Sequence, residues 1–209
     1  MVPWLGGALW GGAALVVAVG LAFGRRQNRA PALGGAISRA KQLWLIWAVY
    51  AWFVLAPLFA LTPGLSSATQ ATLLVFAVSM WLRGGVELVM LYVTRNWRPP
   101  MGMAHDVFTA ALLAVGLGFV LRQPPAPMVA AEAWGRSLVV VLLVSMALET
   151  GYAMAFHRAV EGRTTGDDGV WFATADEPRF RRVNRVTAWA NVALYAYLLA
   201  LLLWTAVAP

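Results

Sequence analysis

The sequence predicts an all-α, polytopic integral membrane protein, a six-transmembrane-helix bundle with both termini on the non-cytoplasmic side. Three observations predict it. Of 209 residues, 61% are hydrophobic and only 12% charged, roughly half the charge expected of a soluble domain. The apolar residues come in blocks rather than short alternations, and a run of about 20 crosses a bilayer as a helix. The basic residues collect in alternate intervals between those blocks, the pattern that membrane topology imposes.

Six spans follow in order: 4–23, 42–62, 69–94, 105–121, 136–157 and 186–207. Each must be helical, because an open strand edge leaves peptide groups unpaired in lipid. Span one reads "GALWGGAALVVAVGLAFG", with Gly7 four residues before Gly11 and Gly20 four before Gly24. That spacing permits close helix contact, either within the chain or with another subunit. No basic residue precedes this run and Arg25 and Arg26 follow it, the reverse of a secretory signal, so the segment is expected to be retained. Span three carries "MWLRGGVELVM", in which Gly84 and Gly85 thin the helix beside Arg83. Pro99 and Pro100 read as the stop of that span. Span four is then at the short limit, opened by His105 and Asp106, where a carboxylate complements the helix N-terminus. The chain reads as one transmembrane domain, 1–209, with 158–185 as its largest cytoplasmic loop.

The orientation rests on arginine and lysine. Arg25, Arg26, Arg29, Arg39 and Lys41 fall in the first interval, Arg95 and Arg98 in the third, and Arg158, Arg163, Arg179, Arg181, Arg182 and Arg185 in the fifth. The other side has Arg122 and Arg136. The positive-inside rule makes the basic loops cytoplasmic, in a plasma membrane such as the bacterial inner membrane. Topology thereby accounts for the net charge of +7, and nucleic acid is not an expected partner. The absence of cysteine excludes disulfides, thiolate chemistry and haem c attached through its usual motif. No nucleotide-binding loop, protease triad or HExxH appears.

The polar groups within the spans carry the chemistry. Glu87 lies eight residues before Arg95 and Glu149 nine before Arg158, which places both carboxylates roughly 12–13 Å inside at about 1.5 Å per residue. Arg83 is one turn from Glu87 on the same face. Ser145, Glu149, Tyr152 and Phe156 follow at spacings of four, three and four, one face of span five. The expected unit is an Arg83–Glu87–Glu149 cluster with Ser145 and Tyr152 beside it. It reads either as a buried pair holding helices together or as a site for a proton, ion or solute.

At the cytoplasmic rim, His105 and His157 could hold a haem b iron axially, with Tyr92 as a further cofactor contact; interfacial capping is the competing reading. A metal-only site is disfavoured because the glutamates lie about two turns deeper than the histidines. "TTGDDG", with Asp167 and Asp168, is a turn signal. "TADEP" offers Thr174 as an N-cap with Glu177 three residues later. Beyond it, Arg179, Arg181, Arg182 and Arg185 suit lipid headgroups, anchored by Trp171 and Phe172, or a partner protein.

Three functions fit these features. The first is a small integral subunit of a redox or energy-coupling complex, with partner subunits and a quinone or haem pocket near the cytoplasmic face. The second is an ion or small-solute transporter using Glu87 and Glu149. The third is a membrane enzyme whose rim histidines act as bases, with Asp106 orienting His105.

Overall fold

A computed structural model describes residues 3–29, 36–94, 99–124, 129–160 and 177–207. They are helical almost throughout: α1 (Pro3–Arg29), α2 (Arg39–Tyr50), α3 (Ala56–Ala60), α4 (Ser67–Leu88), α5 (Pro99–Arg122), α6 (Val129–Ala159) and α7 (Arg181–Val207). A π-helical turn, Ala51–Leu55, joins α2 to α3 as one continuous rod, and a second, Val89–Val93, extends α4. Among the described residues, six helices are long and apolar enough to span a membrane.

Local chemistry explains the boundaries. Ser38 caps α2, its hydroxyl accepting from the Lys41 amide at 3.2 Å, and Ser66 caps α4 through the Thr69 amide at 3.3 Å. Both satisfy an amide that a helix start leaves open. Between α3 and α4, Pro63 is followed by Gly64 at φ 86°, the left-handed backbone that a turn with proline before glycine requires. The first π turn has a cause two residues on. Pro57 has no N–H and its ring crowds the carbonyl four residues back; the wider turn takes up that misfit, with the Ala56 amide bonding to the Ala51 carbonyl.

Pro99 and Pro100 do not merely end span three. They open α5, because a proline in a first helical turn sacrifices an N–H that has no partner there anyway. The fourth helix is therefore longer than the predicted 105–121. His105 and Asp106 stand nearly two turns inside it rather than at its start, so helix-dipole complementarity does not explain Asp106. Likewise Glu177 precedes the helical turn Pro178–Phe180 in extended backbone, and so does not occupy the third helical position expected of it. Thr174, Asp167, Asp168, Trp171 and Phe172 lie outside the described residues.

Helix α2 is central, packing on α1 and α7, while α4, α5 and α6 pack in succession and α6 meets α7. Polar side chains fasten it to carbonyls of its neighbours. Tyr50 donates to the Leu9 carbonyl at 2.7 Å, Trp47 to Leu194 at 3.1 Å, and Gln42 to Gly20 at 3.1 Å; Asn191 of α7 donates back to Ala40 at 2.8 Å. Such bonds between helices contribute about 0.6 kcal/mol each on average. A Cβ on Gly20 or Gly24 would overlap Ile46 or Gln42, and one on Gly12 would meet Val54 at 2.8 Å. These glycines let α1 lie against α2. Gly7 and Gly11, by contrast, have open space around them. Large apolar side chains such as Trp81, Leu82, Phe108, Phe119 and Trp189 point outward, an apolar surface far beyond that of a soluble monomer.

Candidate functional site

Ionisable side chains from four helices converge near the end of the bundle where α2 begins and α6 ends. Lys41 of α2 is 5% exposed. Its ammonium donates to both Glu149 carboxylate oxygens, at 3.3 and 3.4 Å, and lies 3.7 Å from the centroid of the Tyr152 ring. Arg83 of α4 donates through Nε to Glu87 at 3.1 Å and through Nη1 to Asp106 of α5. Asp106 is fully buried, and its second carboxylate oxygen has no hydrogen-bond partner among the described residues. The two pairs form one electrostatic unit: Arg83 feels Glu149 as well as its own partners, and Asp106 feels Glu149, Glu87 and Lys41.

The structure pairs these residues differently from the expected Arg83–Glu87–Glu149 unit. Glu149 takes its contact from Lys41, not Arg83, and Asp106 is a member. In the sequence Lys41 reads as a topology charge of the first loop; it lies in the first turn of α2, and its long side chain reaches inward instead of out. Arg83 reaches across to Asp106 because α5 begins earlier than the prolines suggested. Arg83 also lies 5.8 Å from the Trp52 ring, and Trp52 belongs to the π turn Ala51–Leu55. The second π turn starts two residues after Glu87. Both irregular turns of the long helices therefore adjoin the charges, a placement that π turns often show at functional sites.

Ser145 faces inward as its spacing predicted. It accepts from Trp52 Nε1 at 3.4 Å and donates to the Leu142 carbonyl at 2.8 Å, so its hydroxyl serves helix contact and not the ion pairs. Tyr152 and Phe156 continue the face as an aromatic column: Tyr152 stacks on Phe156 and Phe156 on Phe180, with centroids 6.1 and 5.4 Å apart. Lys41 closes one end and Arg179 the other, 4.6 Å from the Phe180 centroid. Arg179 also donates to the Ala159 carbonyl at 3.2 Å, capping α6. It is occupied within the fold, whereas Arg181, Arg182 and Arg185 are exposed.

The two histidines, proposed as axial haem ligands, have different surroundings. His105 Nε2 shares a hydrogen bond with Ser79 at 3.2 Å and Nδ1 with Thr109 at 3.3 Å, while the two hydroxyls are 3.1 Å apart. Both ring nitrogens are engaged in this closed triangle between α4 and α5. Asp106 bonds Arg83 and not His105, so the expected acid–histidine orientation is also absent. His157 lies on α6 beside the aromatic column, with Nδ1 buried and unpartnered among the described residues. Tyr92 sits in the second π turn, but its side chain is outside the described set. Among the described residues no three metal-ligating side chains gather.

A second buried acid escaped the sequence reading. Glu132, 1% exposed, accepts from the Ser66 amide and hydroxyl, the Thr69 hydroxyl and Arg136 Nε at 2.7–2.9 Å. Arg136 in turn donates to the Gln123 and Pro124 carbonyls at 3.0 and 3.1 Å. With every oxygen satisfied, this knot ties the α4 start to the α5 end and α6. It is a structural clamp at the opposite end of the bundle.

Comparison with protein-family models, curated proteins and solved structures finds no match to this chain.

Proposed function

We propose that this chain is an integral membrane carrier or channel for a small cation, a proton or a monovalent metal ion, bound at the Lys41–Arg83–Glu87–Asp106–Glu149 cluster. Charge balance supports this reading. Three carboxylates face two basic side chains, so with all five ionised the cluster carries one surplus negative charge. An uncompensated charge held away from water costs several kcal/mol, on the order of the penalty for any buried ion. One proton or one monovalent cation removes it. The unpartnered Asp106 oxygen is the observation that carries the proposal, since it marks where that charge would be received. Glu87, whose side chain is 32% exposed, is the mouth through which the ion enters. In this reading the protein sits in a plasma membrane such as the bacterial inner membrane, with the basic segments cytoplasmic.

Reconstitution tests it. Purified protein in liposomes should conduct protons, sodium or potassium above protein-free vesicles, read with a pH-sensitive dye and ion-specific probes. Permeability equal to that of empty vesicles for all three would reject the proposal. The alternative of a redox or energy-coupling subunit is favoured by one observation, the uncovered Gly7–Gly11 face of α1, where a partner helix could lie. Purification from native membrane with a stoichiometric partner chain and a visible redox cofactor would select it.

A further inference from the structure

A cleft of about 290 Å³ lies between α6 and α7 near the same end of the bundle. Ala147, Gly151 and Ala155, four residues apart, form its α6 wall, and α7 from Arg182 to Ala190 forms the other, a length of about 12 Å. Small residues at this spacing ordinarily let two helices close on each other. Here they do not close: a Cβ placed on Gly151 would meet no atom within 4 Å. Trp44 of α2 contributes to the lining. It is 3% exposed, and its indole N–H is buried without a hydrogen-bond partner among the described residues. At one end stands Arg182, with Arg181 and Arg185 exposed nearby.

We propose that this cleft seats one anionic phospholipid: the phosphate on Arg182 and an acyl chain along Ala147, Gly151 and Ala155. A cation at the rim and an apolar slot are the two features that complement a phospholipid's phosphate and chain. A quinone offers acceptors but no negative charge for the arginines. The seat is independent of ion transport, although Tyr152 lines the cleft and also contacts Lys41.

The test is native mass spectrometry of the full chain released from nanodiscs of equal phosphatidylglycerol and phosphatidylcholine. Wild type should retain one phosphatidylglycerol in preference to phosphatidylcholine. Arg182→Gln should lower that preference about fivefold, the factor for roughly one basic residue at an anionic surface. Gly151→Leu fills the slot and should abolish retention of both lipids. Arg122→Gln, in the last turn of α5, should change nothing. Equal retention of the two lipids by wild type overturns the proposal, as does unchanged retention in Gly151→Leu with native helicity by circular dichroism. So does a co-purified quinone, or a dimer that Gly151→Leu dissolves. Should Gly151→Leu not fold, the Arg182→Gln preference decides.

Discussion

Replacing Lys41 by methionine keeps most of the side-chain length and removes the charge. At 3.3 Å from Glu149 the gross attraction is about 5 kcal/mol at an effective dielectric near 20. Most of that offsets desolvation of the pair and is not net stability. What the substitution exposes is the other half: Glu149 keeps a buried charge with its cation gone, which costs about 3–5 kcal/mol. The contact with Tyr152 is lost as well, a smaller effect of about 0.5–2 kcal/mol. Replacing Glu149 by leucine in the same chain removes the stranded acid and should return stability to within about 1–2 kcal/mol of wild type, because an apolar pair of similar volume is often as stable as a buried ion pair. The assay is reversible unfolding in mixed micelles followed by tryptophan fluorescence, across wild type, both single variants and the double variant. Additive losses, with the double variant the least stable of the four, would refute the pairing of Lys41 with Glu149.

Two further outcomes are expected. Glu132→Ala removes the acceptor for the Ser66 and Thr69 groups and strands Arg136, and should cost about 1.5–3 kcal/mol in the same assay, with no effect on ion flux beyond that of stability. Because the chain lacks cysteine, single substitutions report sidedness without interference: Arg26→Cys should react with an impermeant thiol reagent only from the cytoplasmic face of oriented vesicles and Leu61→Cys only from the other, and the reverse pattern would overturn the assigned orientation.

The periodic features of the chain were legible in its sequence, and the pairings were not. Apolar block length located all six long helices, and the four-three-four spacing put Ser145, Glu149, Tyr152 and Phe156 on one inward face, because helical geometry alone decides which residues share a side. Partner choice depends on register between helices far apart in the chain, which spacing does not encode. Arg83 had two acids at plausible depth and no sign of a third. Asp106 was hidden by the double proline, which reads equally as the end of one helix or the beginning of the next. Lys41 was hidden by its neighbours: beside Arg39 in a basic interval it resembles a topology charge, and nothing local tells which way a long flexible side chain turns. Glu132 sits in "RQPPAPMVAAEAWGR", an interval before span five that its prolines mark as a short loop. Its capping role depends on Ser66, 66 residues away.

The claim that the surplus carboxylate receives a cation is tested most directly by Asp106→Asn. This substitution leaves Lys41 and Arg83 facing Glu87 and Glu149, two charges of each sign, and so removes the need for the ion while keeping a side chain that Arg83 can still hydrogen-bond. Flux through proteoliposomes of matched protein density, driven by a potassium diffusion potential for protons or by a concentration gradient for sodium and potassium, should fall by about tenfold or more, the loss of at least about 1.4 kcal/mol of binding. Stability should be retained or increased. Flux equal to wild type in a folded Asp106→Asn protein would contradict the account.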